Sequence, residues 1–339
     1  MSPRSSKKRT RAAVSRRPLV VCVGGDADTR HLAMLLEDGG AETLLLDPGG
    51  ELSGLSVRLR SGGSRGAFEV LWQGRSLRDA GALVLRQLPG PPPMAEPEAV
   101  GRSALRALAD RITAARERAA LLRSALLLLS DGRRLVLHPP AEVELHLHKP
   151  LALARLAAAG VCVPESLASA DARAARAFLG ELREAGAETV CKPVAGGAVA
   201  RRFVADDERR LTSLRHAPVL FQRRIQAQDD VEHRVYLLKG APLAAFALPC
   251  AGVTDARLRL AEARRVPCPR AVALEAARAA RALGLSFCAV DVRLEAAGPR
   301  RTRAVVLDVN PTPSLLDWPD GGTVARALAR FILERSRGR

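Results

Sequence analysis

Apolar and polar positions switch repeatedly between a period of two and a helical period along the first 140 residues. An apolar run from Pro18 to Val23 ends at Gly24-Gly25-Asp26, helical spacing follows from Asp28 to Asp38, and Thr43 to Asp47 returns to strand character. Strand, helix and strand in that order predict the front of an α/β sheet. The first turn lacks the G-x-G-x-x-G spacing that brings backbone to a pyrophosphate, so a dinucleotide site is disfavoured even though Asp47 ends the second strand. Val57 to Arg60 and Ala67 to Trp72 predict a hairpin, and Ala82 to Leu88 a further apolar strand. The proline-rich stretch Pro89 to Pro97 marks a border, after which Arg102 to Leu129 reads as one long helix and Arg134 to His138 as a short strand.

Beyond Pro139-Pro140 the pattern changes. Glu142 to His148 fits either strand or helix, and no third ligand joins His146 and His148 at zinc spacing. Lys149 opens a helix over Leu151 to Ala159 that Gly160 stops, and Val161 to Pro164 is extended. Asp171 caps a helix to about Ala185, and Glu188 to Val194 is a strand followed by the small-residue loop Ala195-Gly196-Gly197-Ala198, which leads into Arg201 to Ala205. Val219 to Ile225 is another strand, Val235 to Leu238 and Pro242 to Leu248 form a hairpin about Lys239-Gly240, and Arg234 stands at a strand start. A helix over Arg270 to Leu283 leads to two apolar strands, Leu285 to Leu294 and Thr302 to Val309.

Composition narrows the class. A chain of 339 residues with 47% hydrophobic content forms about two domains with a real core. Six cysteines stand singly with no C-x-x-C pair, as buried thiols of a reducing compartment do, and no apolar run reaches membrane-span length, so a cytoplasmic protein is expected. The formal net charge of +17 raises nucleic acid as a partner, but only 3% of residues are aromatic and residues 1–17 carry much of the excess as a basic, disordered tail. The charge therefore reads as a solvated arginine surface, and nucleic acid is disfavoured.

Of the 53 Lys and Arg residues only five are lysine, and two of these, Lys149 and Lys192, each precede a proline. A compact ammonium kept among so many guanidinium groups suits contact with phosphate. Small residues at Gly196 and Gly197 let backbone amides approach the same anion. Asp291 and Asp308 interrupt apolar strands, where a carboxylate is costly unless paired or bound to metal. With Asn310 on the same face as Asp308, they make an all-oxygen set suited to Mg²⁺ bridging nucleotide phosphates. A structural ion pair to arginine is the competing reading for both carboxylates.

The ordered series Lys149, Lys192 with its glycine loop, Gln222, Arg234, Asp291 and Leu307 to Ser314 (LDVNPTPS) resembles the ATP-grasp ligases, most nearly their RimK-like branch. The resemblance implies an α/β ATP-grasp fold preceded by a Rossmann-like N-terminal domain. Its expected divisions are the tail at 1–17, the N-terminal domain with its long helix at 18–138, a lid subdomain at 139–220 and a C-terminal subdomain at 221–339. It also implies that Lys149 and Lys192 touch ATP phosphates, that Gly196 and Gly197 belong to the lid loop, and that Gln222, Arg223, Arg224 and Ile225 form the adenine hinge. Arg234 and Lys192 would act on the transferred phosphoryl group, with Asp291, Asp308 and Asn310 holding Mg²⁺. The implied activity is ATP- and Mg²⁺-dependent joining of a carboxylate to an amine, or to a hydroxyl, through an acyl phosphate, on a peptide or amino acid, with a homo-oligomer left open. Departures from the family pattern fall at Asp308, where Glu is usual, at Glu232, where Asp is common, at Arg223, where an acid is common, and in the glycine-poor loop. They keep a second reading open, a non-catalytic ATP-binding or anion-binding interaction protein.

Overall fold

The computed structural model describes residues 17–59, 68–88, 102–195, 197–298 and 301–337. The basic segment before Arg17, the Pro89 to Pro97 border and Gly196 lie outside the described residues.

The N-terminal part contains β1 (Leu19–Val23), α1 (Ala27–Asp38), β2 (Glu42–Leu46), β3 (Leu55–Leu59), β4 (Phe68–Trp72), β5 (Arg75–Ser76), β6 (Ala82–Leu85), α2 (Arg102–Leu129) and β7 (Leu135–Leu137). Four of these strands make a parallel sheet in the order β2-β1-β6-β7, and β3-β4-β5 form a small antiparallel sheet beside it. Every residue of β1 and β6 is buried, as continuous apolar runs are when a parallel sheet is covered on both faces. Asp26 starts α1 by accepting the Thr29 amide at 2.7 Å, a cap that contributes about 1 kcal/mol. Leu32 and Leu36 of α1 pack on one face of the sheet, and Leu122, Leu126 and Leu129 of α2 pack on the other.

A second unit holds α3 (Pro140–Val143), α4 (Lys149–Ala158), β8 (Ser166–Ser169), α5 (Ala172–Glu184), β9 (Thr189–Pro193), β10 (Arg201–Arg202) and β11 (Val219–Arg223). Its antiparallel sheet runs β10-β9-β11-β8, with Phe178, Leu179 and Leu182 of α5 buried against Cys191 and Phe221. A boundary at 220/221 runs through β11, and Leu145, Ala152, Leu156 and Val161 pack on the C-terminal sheet instead of this one. The ambiguous Glu142 to His148 stretch is helical, ending in a 3-10 turn over Glu144–Leu147. Strand β8 went unrecognised because its sequence, SLAS, has no apolar run to announce it.

The C-terminal unit comprises β12 (Val231–Leu238), β13 (Ala241–Pro249), β14 (Arg264–Val266), α6 (Arg270–Ala282), β15 (Phe287–Ala296), β16 (Thr302–Asn310) and α7 (Gly321–Arg337). Its five strands form an antiparallel sheet in the order β14-β13-β12-β15-β16. One face is apolar except for the buried His233 and packs on α6 through Val235, Leu237, Val290 and Val292. The other face divides along its length. Tyr236, Phe246, Phe287 and Ala289 pack with α1, α7 and Trp318 in the core shared with the N-terminal sheet, whereas Glu232, Arg234, Asp291 and Arg293 open into a cleft. Helix α7 had no counterpart in the sequence reading, yet Val324, Ala325, Leu328, Ala329 and Ile332 bury one helical stripe against that core.

Candidate active site

The cleft lies between β9 and β11 of the second sheet and the polar end of the C-terminal sheet. Lys149, Lys192, Gly197, Gln222, Arg223, Arg224, Ile225, Arg234, Asp291, Asp308 and Asn310 all line it. The structure thus brings together every site residue named from the sequence except Gly196, which lies outside the described residues.

Strand register explains the arrangement. Arg234 on β12 pairs with Asp291 on β15, and Asp291 pairs with Asp308 on β16, so three charged side chains form a row across adjacent strands. A bulge in β16 at this level puts Asp308 opposite Asp291, and Asn310 follows two residues later on the same face. Arg234 is not at a strand start as the sequence suggested but in the middle of β12, because Val231 to His233 already pair with β13. Its guanidinium clamps Asp291 through Nε and Nη2, both at 2.7 Å, and stacks 4.8 Å above the Trp318 ring. Burial alone would lower the Arg234 pKa, but the Asp291 carboxylate outweighs it and holds the group protonated. Lys149 donates from Nζ to Asp308 Oδ2. Burial alone would raise the Asp308 pKa, yet Lys149 and Lys192 together hold it below the ordinary carboxylate range.

Lys192 has a different environment. Its ammonium makes no hydrogen bond or ion pair among the described residues. Burial lowers its pKa, Asp308 opposes that shift and Lys149 adds to it. An ammonium so placed has Asp308 nearby but no anion in direct contact, and phosphate oxygens would supply one.

The next layer is a second ion pair. Arg293 donates to Glu232 Oε2 from Nε at 3.0 Å, its Nη2 lies 2.8 Å from the same oxygen, and its Nη1 reaches the Ile225 carbonyl at 2.9 Å. Burial and the neighbouring Asp291 push the Glu232 carboxyl upward against the pull of Arg293. Along Gln222 to Ile225 the polar side chains are already engaged: Gln222 Nε2 donates to Ser166 Oγ at 3.0 Å, Arg223 forks onto Glu295 at 2.5 and 3.1 Å, and Arg224 reaches Glu188 at 2.5 Å. Backbone groups are therefore what this stretch offers a ligand. Gly197 takes a φ of +89°, which favours glycine, and the loop after it is anchored by Asp255 accepting the Ala200 amide at 2.8 Å and by Arg257 donating to the Ala198 carbonyl at 2.9 Å.

Arg293, Asp255 and Arg257 escaped the sequence reading. Arg293 interrupts the same apolar run as Asp291 and could have been found by that signal, whereas Asp255 and Arg257 sit in a polar stretch with none. Among the described residues no group of three or more His, Cys, Asp or Glu could hold a metal ion. The donor set of Asp291, Asp308 and Asn310 nevertheless fits Mg²⁺, which binds through one or two carboxylates and completes its shell with phosphate and water. Each Asp291 oxygen accepts one hydrogen bond from Arg234 and keeps a second lone pair.

No protein-family model matches the chain, and no curated protein matches it. Solved structures do. The ATP-grasp ligase PsnB, in a complex with minimal precursor, Mg and ADP, superposes with a TM-score of 0.71 at 24% identity over 94% of this chain and 97% of that one. The macrocyclase MdnC from Microcystis aeruginosa MRC, bound to precursor peptide MdnA, gives 0.71 at 18% identity over 93% and 98%. D-cycloserine synthetase DcsG gives 0.59 at 19% identity over 94% and 99%. The likeness extends over nearly the whole chain in each case, and the protein has the fold of the ATP-grasp ligases.

Proposed function

We propose that the protein is an ATP- and Mg²⁺-dependent ligase that activates a carboxylate as an acyl phosphate and joins it to an amine, on a peptide substrate. The observation that carries the reading is the convergence on one cleft of an unpaired Lys192, the Lys149–Asp308 pair and the Arg234–Asp291–Asp308 row. Neighbouring ligases of the same fold have structures in complex with Mg and ADP, with AMPPNP and with precursor peptides, which supports the same ligands here. In this reading the parallel N-terminal sheet is a Rossmann-like domain that precedes the grasp.

Mg²⁺, held by Asp291, Asp308 and Asn310, would neutralise charge on the transferring phosphoryl group. Lys149 and Lys192 bind and orient the phosphates, and Lys192 gains the directly contacting anion that it otherwise lacks. Arg234, fixed by Asp291 and Trp318, presents an oriented cation where negative charge grows, and preorganised groups of this kind typically supply about 2.7–4 kcal/mol each. Gly197 lets the loop approach the phosphates closely, while the Ile225 backbone, tied to Arg293, sets the hinge for the base.

One observation favours a second reading, nucleotide binding without turnover: both carboxylates are already neutralised by protein cations. ADP release and hydroxylamine trapping, measured with ATP, Mg²⁺ and a library of Glu- and Asp-containing peptides, decide between the two. The ligase reading expects hydroxamate in proportion to ADP, and nucleotide binding with neither product selects the second.

A further inference from the structure

The 3-10 turn over Glu144–Leu147 is held by both of the cores that flank it. Val143, just before it, is buried in the core of the N-terminal sheet, Leu145 is buried in the core of the C-terminal sheet, and Glu144 pairs with Arg123 of α2. His146 is carried on this fixed turn, just ahead of Lys149, and lines the active-site cleft with Lys149, Asp308 and Asn310, whereas His148 is exposed. A second cavity, at the carboxyl ends of β1, β2 and β6, meets the cleft here, since His146 and Asn310 stand in the walls of both.

The ring is fixed in one tautomer. Nδ1 lies 2.5 Å from the Val143 carbonyl, which can only accept, so Nδ1 carries a hydrogen and Nε2 is the ring atom where a proton is taken up or given away. Among the described residues Nε2 has no hydrogen-bond partner. The other bases of the cleft are engaged: the carboxylates that line it, Glu232, Asp255, Asp291 and Asp308, are each paired with an arginine or a lysine. A carboxylate held by a cation is a poor proton acceptor, because protonating it leaves that cation unpaired. His146 Nε2 is therefore the unengaged base among the described residues of the cleft.

We propose that His146 is the general base for the attack of the amine on the acyl phosphate, an inference that rests on the ligase reading above. The lone pair of the amine nitrogen forms the new C–N bond, the bond from the acyl carbon to the phosphate oxygen breaks with its electron pair leaving on the phosphate, and the proton shed by the nitrogen passes to Nε2. The Val143 carbonyl keeps its hold on Nδ1–H throughout, and so orients the ring and supports the charge that it gains. The competing role is structural: Val143 closes α3, and the His146 ring satisfies a carbonyl at that helix end.

His146→Asn separates the two roles, because an asparagine amide can keep the hydrogen bond to the Val143 carbonyl while removing the base. The full-length parent and variant are given ATP, Mg²⁺ and peptides that carry a Glu or Asp together with a Lys. Hydroxamate formed in excess hydroxylamine, which traps the acyl phosphate without help from the protein, reports activation alone; loss of water from the peptide, read by mass spectrometry without hydroxylamine, reports joining. In the variant, hydroxamate should stay within about threefold of the parent while joining falls by about 10²–10⁴-fold, the usual contribution of a general base. An equal fall in both, or no fall in joining, overturns the proposal, as does a parent that forms hydroxamate but joins no amine. No hydroxamate in the parent refutes the ligase reading itself, and the base with it. Long-range nitrogen–proton NMR of the full-length parent decides the matter should the variant not fold: the neutral His146 ring should carry its hydrogen on Nδ1, and a hydrogen on Nε2 instead overturns the proposal.

Discussion

Replacing Asp308 by Asn separates a structural role from a chemical one. Asp308 faces Asp291 across the sheet, yet each carboxylate is paired with its own cation, so the substitution does not relieve repulsion between acids; it uncovers Lys149 and Lys192. Two unit charges in contact near a protein surface interact by about 4 kcal/mol. The Asp308 side chain is 40% exposed and Lys149 13%, which discounts the pair toward the surface range, to about 1 kcal/mol. Urea unfolding should register that small loss, against a total of about 5–15 kcal/mol for a typical domain. ADP formation should fall much further, by roughly 10²–10³-fold, the scale of one preorganised electrostatic contact at a developing charge. Asp308→Glu restores the longer carboxylate usual in the resembled family and should keep activity within an order of magnitude of the parent. Turnover in Asp308→Asn within threefold of the parent, with the fold intact, would remove this residue from the chemistry.

Saturating Mg·AMPPNP should raise unfolding stability by about 2.7 kcal/mol at a hundredfold excess over Kd, read by calorimetry, and an unmoved transition would contradict nucleotide binding. Lys192→Met should weaken that binding at least tenfold. In the parent, affinity should be full where Lys192 is protonated and fall as pH rises through its depressed pKa, below the ordinary lysine value of about 10.4; a decline only above that value would show that Lys192 is not the group involved. Glu295 is shared by Arg223 and Arg303, whose hydrogen bonds hold its pKa down, so its contribution is present above the unfolded value of about 4.3 and is lost as pH falls through the lower folded value. Glu295→Gln should therefore cost about 1 kcal/mol in urea unfolding at pH 7 and progressively less as the pH is lowered into the acid range, and a cost independent of pH would refute the pairing argument.

Charged residues that interrupt apolar strands were the legible part of the site. Asp291 and Asp308 stand out because a buried strand tolerates a carboxylate only with a partner, and the register then places them face to face. The partners were not legible. Nothing local in the sequence says that Arg234 will meet Asp291 or that Lys149 will meet Asp308, since each contact is made by sheet pairing or by packing across 57 and 159 residues. The long helix α2 was read to its observed ends because its helical pattern is unbroken, whereas β8 was missed because four residues of mixed character owe their strand to pairing with β11. The second cavity likewise arises from strand order, which residues in separate turns cannot reveal.

A crystal structure of the full chain with Mg²⁺ and AMPPNP tests the central claim most directly. The account predicts triphosphate oxygens within hydrogen-bonding distance of Lys149 and Lys192, and a Mg²⁺ ion at about 2.0–2.1 Å from oxygens of Asp291, Asp308 and Asn310. Nucleotide bound elsewhere, or bound in the cleft with Asp291 still closed on Arg234 and no metal beside it, would contradict the account.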